Sequence, residues 1–320
     1  MTERVRTPNP LIPGNPRERT GSAGLLRRAN AEITKRFAGL TRDVLEVFAR
    51  IPTYTTNDDK GKDDDVLDAV THYGATPQVL DQTMLDLQAA LDRWITGGRE
   101  TKYVAWWDVY EQEAAQLGTA QSAANLANLS PVYAAARSLE MIVFSEPYRL
   151  RAELARQRSS EYWTGLTAQA RADLAGIIGR AVVDGKNPKR VVTEIAERLD
   201  VSRSRARLYS QSDITGTLRE ARIAESEAAE TELGVRTALL WTSAFLPTTR
   251  AWHASRSGST YSREEVKAFY SVNGNRFLCH CSVTEALLDA DGAPILTKYL
   301  QSAMANERKT WQSQQKTKSP

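Results

Sequence analysis

The residues best suited to chemistry in this 320-residue chain are its only two cysteines and a histidine that precedes them. Cys279 and Cys281 flank His280 in a Cys-His-Cys tripeptide. Side chains two apart on a strand point to one face, so the spacing predicts that both sulfurs share a side. His253 comes from a preceding turn and is placed to supply a third donor. Together His253, Cys279 and Cys281 form a candidate zinc site. His280 points the other way and is a poor fourth ligand. A structural zinc usually takes four ligands, often from two well-spaced cysteine pairs, and one pair exists here. The competing reading is a small buried cysteine pair packed near His253, with Arg250 hydrogen-bonded locally. A reversible thiol contact is a third option, because a disulfide between residues two apart demands strained geometry.

Catalysis has less support in the sequence. No glycine-rich nucleophile turn surrounds either cysteine, as a Cys–His protease would need. Gly97-Gly98 and the Gly21–Gly24 stretch lack the lysine or the strand–helix setting of a phosphate-binding loop. The chain is read as a non-enzyme with no catalytic residue. A zinc- or thiol-dependent enzyme using His253 with Cys279 and Cys281 stands as an alternative. No cofactor is expected apart from zinc at that group.

Residues 188–209 offer a second chemistry, DNA binding through a helix-turn-helix. Pro188 marks a helix start, Ala196 and Leu199 face a partner helix, and Ser202 is placed to cap a second helix. Arg203, Arg205 and Arg207 would then stand near the N-terminal end of that helix, where recognition helices meet DNA. Against this, Asp200 stands where the turn prefers glycine, and the second helix runs on to about Glu232. A helical hairpin with solvated or acid-paired arginines is the favoured reading. The net charge of +3, from 42 basic and 39 acidic residues, also argues against a protein that coats nucleic acid.

The elements that position these groups follow from period and punctuation. With 41% hydrophobic and 25% charged residues the chain can build a core, and its length suits about two domains. Residues 1–22 carry Pro8, Pro10, Pro13 and Pro16 and read as a flexible arm, with ordering on a neighbouring subunit as the sharper alternative. Leu26, Ile33, Phe37, Leu40, Val44, Val47 and Ile51 then fall at helical spacing until Pro52. The acidic stretch from Asn57 to Asp65 lacks the ligand spacing of a calcium loop and reads as solvated. Pro77 opens a second helix with Leu80, Met84, Leu87, Leu91 and Trp94 on one face, closed by Gly97-Gly98. Further helices are predicted over 101–129, 132–145, 148–163 and 167–183, so residues 23–186 read as one helical domain without an internal repeat.

Beyond it, Ile214, Leu218 and Ile223 stripe another helix that stops near Gly234. A strand-like run from Val235 to Ser243 follows. The predicted fold is a mainly α N-terminal region followed by a small α+β module, residues 187–285, with short antiparallel strands. Residues 286–320 are a C-terminal extension, expected to be mobile beyond Asn306. Leu26, Ile33, Phe37 and Leu40, with Trp94, Trp106, Trp107 and Tyr110, are candidate interface residues; an ordinary core is the alternative. No apolar run approaches the roughly 20 residues that span a membrane, and the N-terminus lacks an apolar signal core.

The succession from residue 190 to 285 resembles the phage Mu F-like head morphogenesis family, the minor head proteins of tailed phages. In that family a helix leads to a Trp-containing strand, an Arg/His turn, a glycine-containing hairpin and a terminal Cys-x-Cys. The matching residues here are Trp241, Arg250 and His253, Ser257-Gly258, and Cys279 with Cys281. The chain departs from the pattern in three places. Leu246-Pro247-Thr248-Thr249 replace the turn's aspartate, Phe277-Leu278 replace a proline, and Ser210-Gln211-Ser212-Asp213 replace an Arg-Thr-Glu start. The resemblance therefore carries fold and role, and not a shared metal or polar cluster. Some relatives of the module are fused to toxin domains, ADP-ribosyltransferases included. Glu225-Ser226-Glu227 lies inside a helix and in the wrong order for their acidic motif, so it reads as a solvated helix face.

What the resemblance implies is a structural protein of the virion, assembled in the host cytoplasm. It would associate with the portal and with the major capsid or scaffolding protein, in several copies per head. It would act in head assembly and in packaging, retaining or delivering DNA, away from any membrane.

Overall fold

The structure, a computed structural model, describes residues 8–55, 71–97 and 105–316. The described elements run in this order: α1 (Ala23–Ala49), β1 (Thr53–Thr55), β2 (Thr71–Tyr73), α2 (Pro77–Leu91), a one-turn π-helix (Asp92–Thr96), α3 (Asp108–Leu129), α4 (Pro131–Ala136) and α5 (Leu139–Val143). Then come α6 (Glu146–Asp184), α7 (Pro188–Leu233), β3 (Thr237–Thr242), α8 (Ala251–Ala254), β4 (Thr260–Tyr261), α9 (Arg263–Ser271), β5 (Ser282–Leu287) and α10 (Lys298–Lys316). A mainly helical first part followed by a small antiparallel sheet is the fold class that the periodicity predicts.

The chain forms two compact units, each assembled from separated segments. One comprises residues 28–109 and 157–209; the other comprises 1–27, 110–156 and 210–320. The boundaries fall inside α1, α3, α6 and α7. The sequence divided the chain instead at 22, 186 and 285, because composition changes there while the packing does not.

In the first unit the stripe of α1 is the core. Ile33, Phe37, Leu40, Val44 and Phe48 pack with Leu87 and Leu91 of α2, Trp163 and Leu174 of α6, and Val191 and Ile195 of α7. Gly39 allows the closest approach, since a Cβ there would lie 2.4 Å from the Trp94 ring. Thr76 caps α2 ahead of Pro77, and Gly97, at φ +90°, ends the π-helix that follows. Thr53–Thr55 and Thr71–Tyr73 pair as a short antiparallel ladder that no alternation announces. The acidic stretch from Asn57 to Asp65 lies outside the described residues.

Two predicted breaks are absent. The helices expected over 148–163 and 167–183 are one, α6, because Trp163, Leu166 and Ala170 continue a single core face. The helix-turn-helix is likewise one unbroken helix, α7, with Leu199 and Ala206 both in the core. Ser202 does not cap anything; its hydroxyl donates back to the Arg198 carbonyl at 3.2 Å, one turn earlier.

In the second unit β3 is the central strand of the order β4-β3-β5, antiparallel on both sides. Side chains alternate across it. Leu239 and Trp241 join Ile223, Val266, Tyr270 and Val283 on one face, while Leu240 joins Ala286 and Met304 of α10 on the other. Covered on both faces, β3 reads as a continuous apolar run. Residues 8–22, expected as a flexible arm, are tied to this unit. Asn125 Oδ1 accepts from the Leu11 amide at 2.7 Å, the Arg19 amide donates to the His280 carbonyl at 3.1 Å, and Arg19 pairs with Glu307 at 2.8 Å. The expected mobile tail is helical to Lys316, with Trp311 buried and its indole N–H donating to the Leu246 carbonyl at 2.9 Å. No described helix is long and apolar enough to cross a membrane.

Candidate functional site

The second unit brings His253, Cys279 and Cys281 together. Their donor atoms lie within 4.8 Å of one another and all three side chains are buried. Each arrives by a different local device. Arg250 starts the single-turn α8, which places His253 in its last turn. Arg250 itself donates to the Phe277 carbonyl at 3.1 Å, fastening α8 to the loop before the cysteines. The cysteines lie just ahead of β5 and not on a strand as expected. Leu278 has φ +52°, an uncommon conformation for a residue with a Cβ, and it turns the chain into Cys279.

Around them is an aromatic enclosure. Trp241 stacks on Tyr270 with centroids 5.4 Å apart, and Phe269 meets both Trp241 and His253 edge-on at 4.9 Å. The α9 helix that carries Phe269 and Tyr270 has a full capping box, with Ser262 and Glu265 satisfying each other's backbone N–H groups. The Ser257-Gly258 turn closes the β3–β4 connection. The Gly258 amide donates to the Trp241 carbonyl at 2.9 Å, from a φ of +85° that suits glycine.

The hydrogen bonds orient the histidine ring. Asn275 donates its amide to the Phe269 carbonyl at 2.8 Å, so its Oδ1 faces Trp252 Nε1 at 2.9 Å and His253 Nε2 at 3.3 Å. Both nitrogens therefore donate to that oxygen, which holds the ring with Nδ1 turned the other way. Nδ1 faces Cys279 Sγ at 3.5 Å. Tyr270 Oη stands at the same distance from Cys279 Sγ, and the Arg219 guanidinium covers the Tyr270 ring at 3.3 Å.

The thiols are pulled apart in acidity. The hydrogen bond from Cys281 lowers the Cys279 thiol well below its ordinary value against the effect of burial, aided by His253 and the Arg219 charge. Cys281, on the other side of that hydrogen bond and buried, is pushed up. Burial likewise raises the Tyr270 phenol, the neighbouring Cys279 adding to it. Asn275, Tyr270 and Arg219 were not foreseen as members of this group. They carry no motif, and only the Asn273-Gly274 turn hints that a side chain is being aimed.

The other candidates separate from this site. Arg203 forms an ion pair with Asp200, Arg207 donates to Thr34 at 2.7 Å, and Arg205 is exposed on the same helix. None of them stands at a helix N-terminus. The candidate interface residues are mostly internal. Ile33, Phe37, Leu40 and Trp107 are buried in the first unit's core, where Trp94 and Trp106 pack against them. Trp107 stacks on Trp163 at 5.4 Å. Leu26 is also buried, and Tyr110 is half-buried. The exposed large apolar side chains include Val132, Leu139, Met141, Phe144, Leu150 and Leu154 instead. Glu225 is no solvated face: it is 1% exposed and accepts from the Tyr133 hydroxyl at 2.6 Å and from Arg137 at 2.9 Å.

Comparison of the chain with protein-family models, with curated proteins and with solved structures returns no match.

Proposed function

We propose that this chain is a structural minor head protein of a tailed bacteriophage. In this reading it associates with the portal and with the major capsid or scaffolding protein, in several copies per head. It acts in head assembly and in packaging, retaining or delivering DNA, and has no catalytic activity. The observation that supports it is the convergence of the module's signature. Trp241, His253, Cys279 and Cys281 are separated in sequence, yet they share one small core with Arg250 and Gly258 fastening the turns around it. A signature that builds one core is the behaviour of a folding module, and the resemblance to the Mu F-like family rests on those positions. Sequence-specific DNA reading through Arg203, Arg205 and Arg207 loses its support, because α7 offers no turn and no free helix start there.

The test is assembly. The chain is expected to co-purify with a portal ring on co-expression and to sediment with heads from a lysate. Absence from both fractions, with the chain folded and soluble, would sink the proposal. Neighbouring genes for a portal and a large terminase would strengthen it.

A further inference from the structure

We propose that His253 Nδ1, Cys279 Sγ and Cys281 Sγ bind one zinc ion, which staples α8 to the loop leading into β5. Three independent observations carry this.

Ligand type and geometry come first. Two sulfurs and one imidazole nitrogen suit a tetrahedral, thiophilic d¹⁰ cation. With Zn–S about 2.3 Å and Zn–N about 2.0–2.1 Å, the edge of a tetrahedron joining S to N is about 3.6 Å. Cys279 Sγ lies 3.5 Å from His253 Nδ1. This pair thus already stands at the spacing a bound zinc requires, and Cys281 Sγ lies within 4.8 Å of both donors.

The outer contacts come second. A metal-bound histidine characteristically gives its other ring N–H to an acceptor that fixes the ring. Asn275 does this for His253 at 3.3 Å and is itself fixed by Phe269 and Trp252. Asn275 is 2% exposed, so solvent cannot replace it.

Charge comes third. Two thiolates and Zn²⁺ cancel, so the centre can be buried without leaving a net charge in an apolar core. Arg219 is 7% exposed, and its Nη2 has no hydrogen-bond partner in the structure. Its guanidinium lies over the Tyr270 ring at 3.3 Å, and Tyr270 Oη in turn lies 3.5 Å from Cys279 Sγ, so a cation stands beside the sulfur ligands. The group holds no fourth His, Cys or carboxylate among the described residues.

The test uses the full chain loaded with Zn²⁺ or with Co²⁺ and dialysed. The expected result is one metal per chain by elemental analysis, a sulfur-to-cobalt charge-transfer band and the visible bands of tetrahedral cobalt. Zinc should also raise the thermal unfolding midpoint. Cys281→Ser should weaken the charge-transfer band and abolish retention of zinc through dialysis. Should that variant fail to fold, Asn275→Ala keeps all three donors and should weaken zinc affinity about 10- to 100-fold. A folded wild-type chain with neither bound zinc nor a cobalt–thiolate band overturns the proposal, as does undiminished binding in Cys281→Ser.

Discussion

Arg222 of α7 and Glu285 of β5 form an ion pair sealed from solvent, at 1% and 0% side-chain exposure, with Nη2 2.7 Å from Oε2. Three polar side chains of α3 turn towards it. Ser122 and Asn125 each donate to the Glu285 carboxylate at 2.8 Å, and Gln121 accepts from Arg222 Nη1 at 3.0 Å. Removing one partner strands the other charge in low dielectric. Arg222→Met is therefore expected to destabilise the chain by about 3–5 kcal/mol, measured as a shift in urea midpoint. A change below about 1 kcal/mol would contradict the burial and pairing described.

Gly118 and Gly179 should respond in opposite directions to the same substitution. A Cβ at Gly118 would lie 2.3 Å from the Leu218 carbonyl oxygen, which belongs to backbone and cannot rotate away. Gly118→Ala is expected to cost about 1–3 kcal/mol by overpacking. At Gly179 a Cβ meets nothing within 4 Å. Within helix α6, Gly179→Ala should stabilise by about 1 kcal/mol from helix propensity alone. Paired denaturant curves decide between these signs.

Leu278 holds a left-handed φ of +52° and is 53% exposed. Such a conformation costs an L-residue about 1–2 kcal/mol, whereas glycine adopts it without strain. Leu278→Gly should raise stability by about 0.5–1 kcal/mol after the extra chain entropy of glycine is subtracted. A loss of stability would mean that the Leu278 side chain contributes packing that its exposure does not show.

The Asp43 carboxylate should make stability depend on acid. Burial raises its pKa, but hydrogen bonds from Trp94 and Arg42 and the charges of Arg42 and Arg93 outweigh it, so the net shift is downward. A lowered native pKa contributes stability that is present above the unfolded value and lost as pH falls through the native one. Wild type should exceed Asp43→Asn at neutral pH, and the gap should close below about pH 4, the ordinary aspartate value. Urea midpoints at neutral pH and in acid provide the measurement. A gap that stays constant would rule the carboxylate out.

Arg203→Ala, Arg205→Ala and Arg207→Ala together should leave retention on duplex DNA and its salt dependence unchanged. If these arginines neutralised phosphates, the slope of log affinity against log salt would drop by about 0.9 for each one removed. Fluorescence anisotropy with a labelled duplex across a salt series reads this directly.

Much of the fold was legible where period and punctuation agreed. The α1 stripe from Leu26 to Ile51 and the stop at Pro52 are local facts, as are the Pro77 start of α2 and the Gly234 end of α7. What failed needed tertiary information. Asp200-Val201-Ser202 resembles a turn with a cap, yet Leu199 and Ala206 are both core residues and keep the helix continuous. Trp106 and Trp107 have spacing that suits an interface as well as a core, and only their contacts with Trp163 decide. At the site, His253, Cys279 and Cys281 were readable from residue type. Asn275 and Arg219 were not, since their roles come from where the turn after α9 and the helix α7 deliver them.

Arg19 and Glu307 meet across 288 positions of sequence. During synthesis the first partner leaves the ribosome long before the second exists. Residues 28–109 and 157–209, which form one unit, all leave the ribosome before residues 210–320 of the other, while the opening segment waits for α10. The second unit is therefore the late-folding one, and contacts of such span slow its closure. A chain cut short before α10 leaves Arg19 and the face of β3 around Leu240 without their cover, an apolar strand surface that invites aggregation.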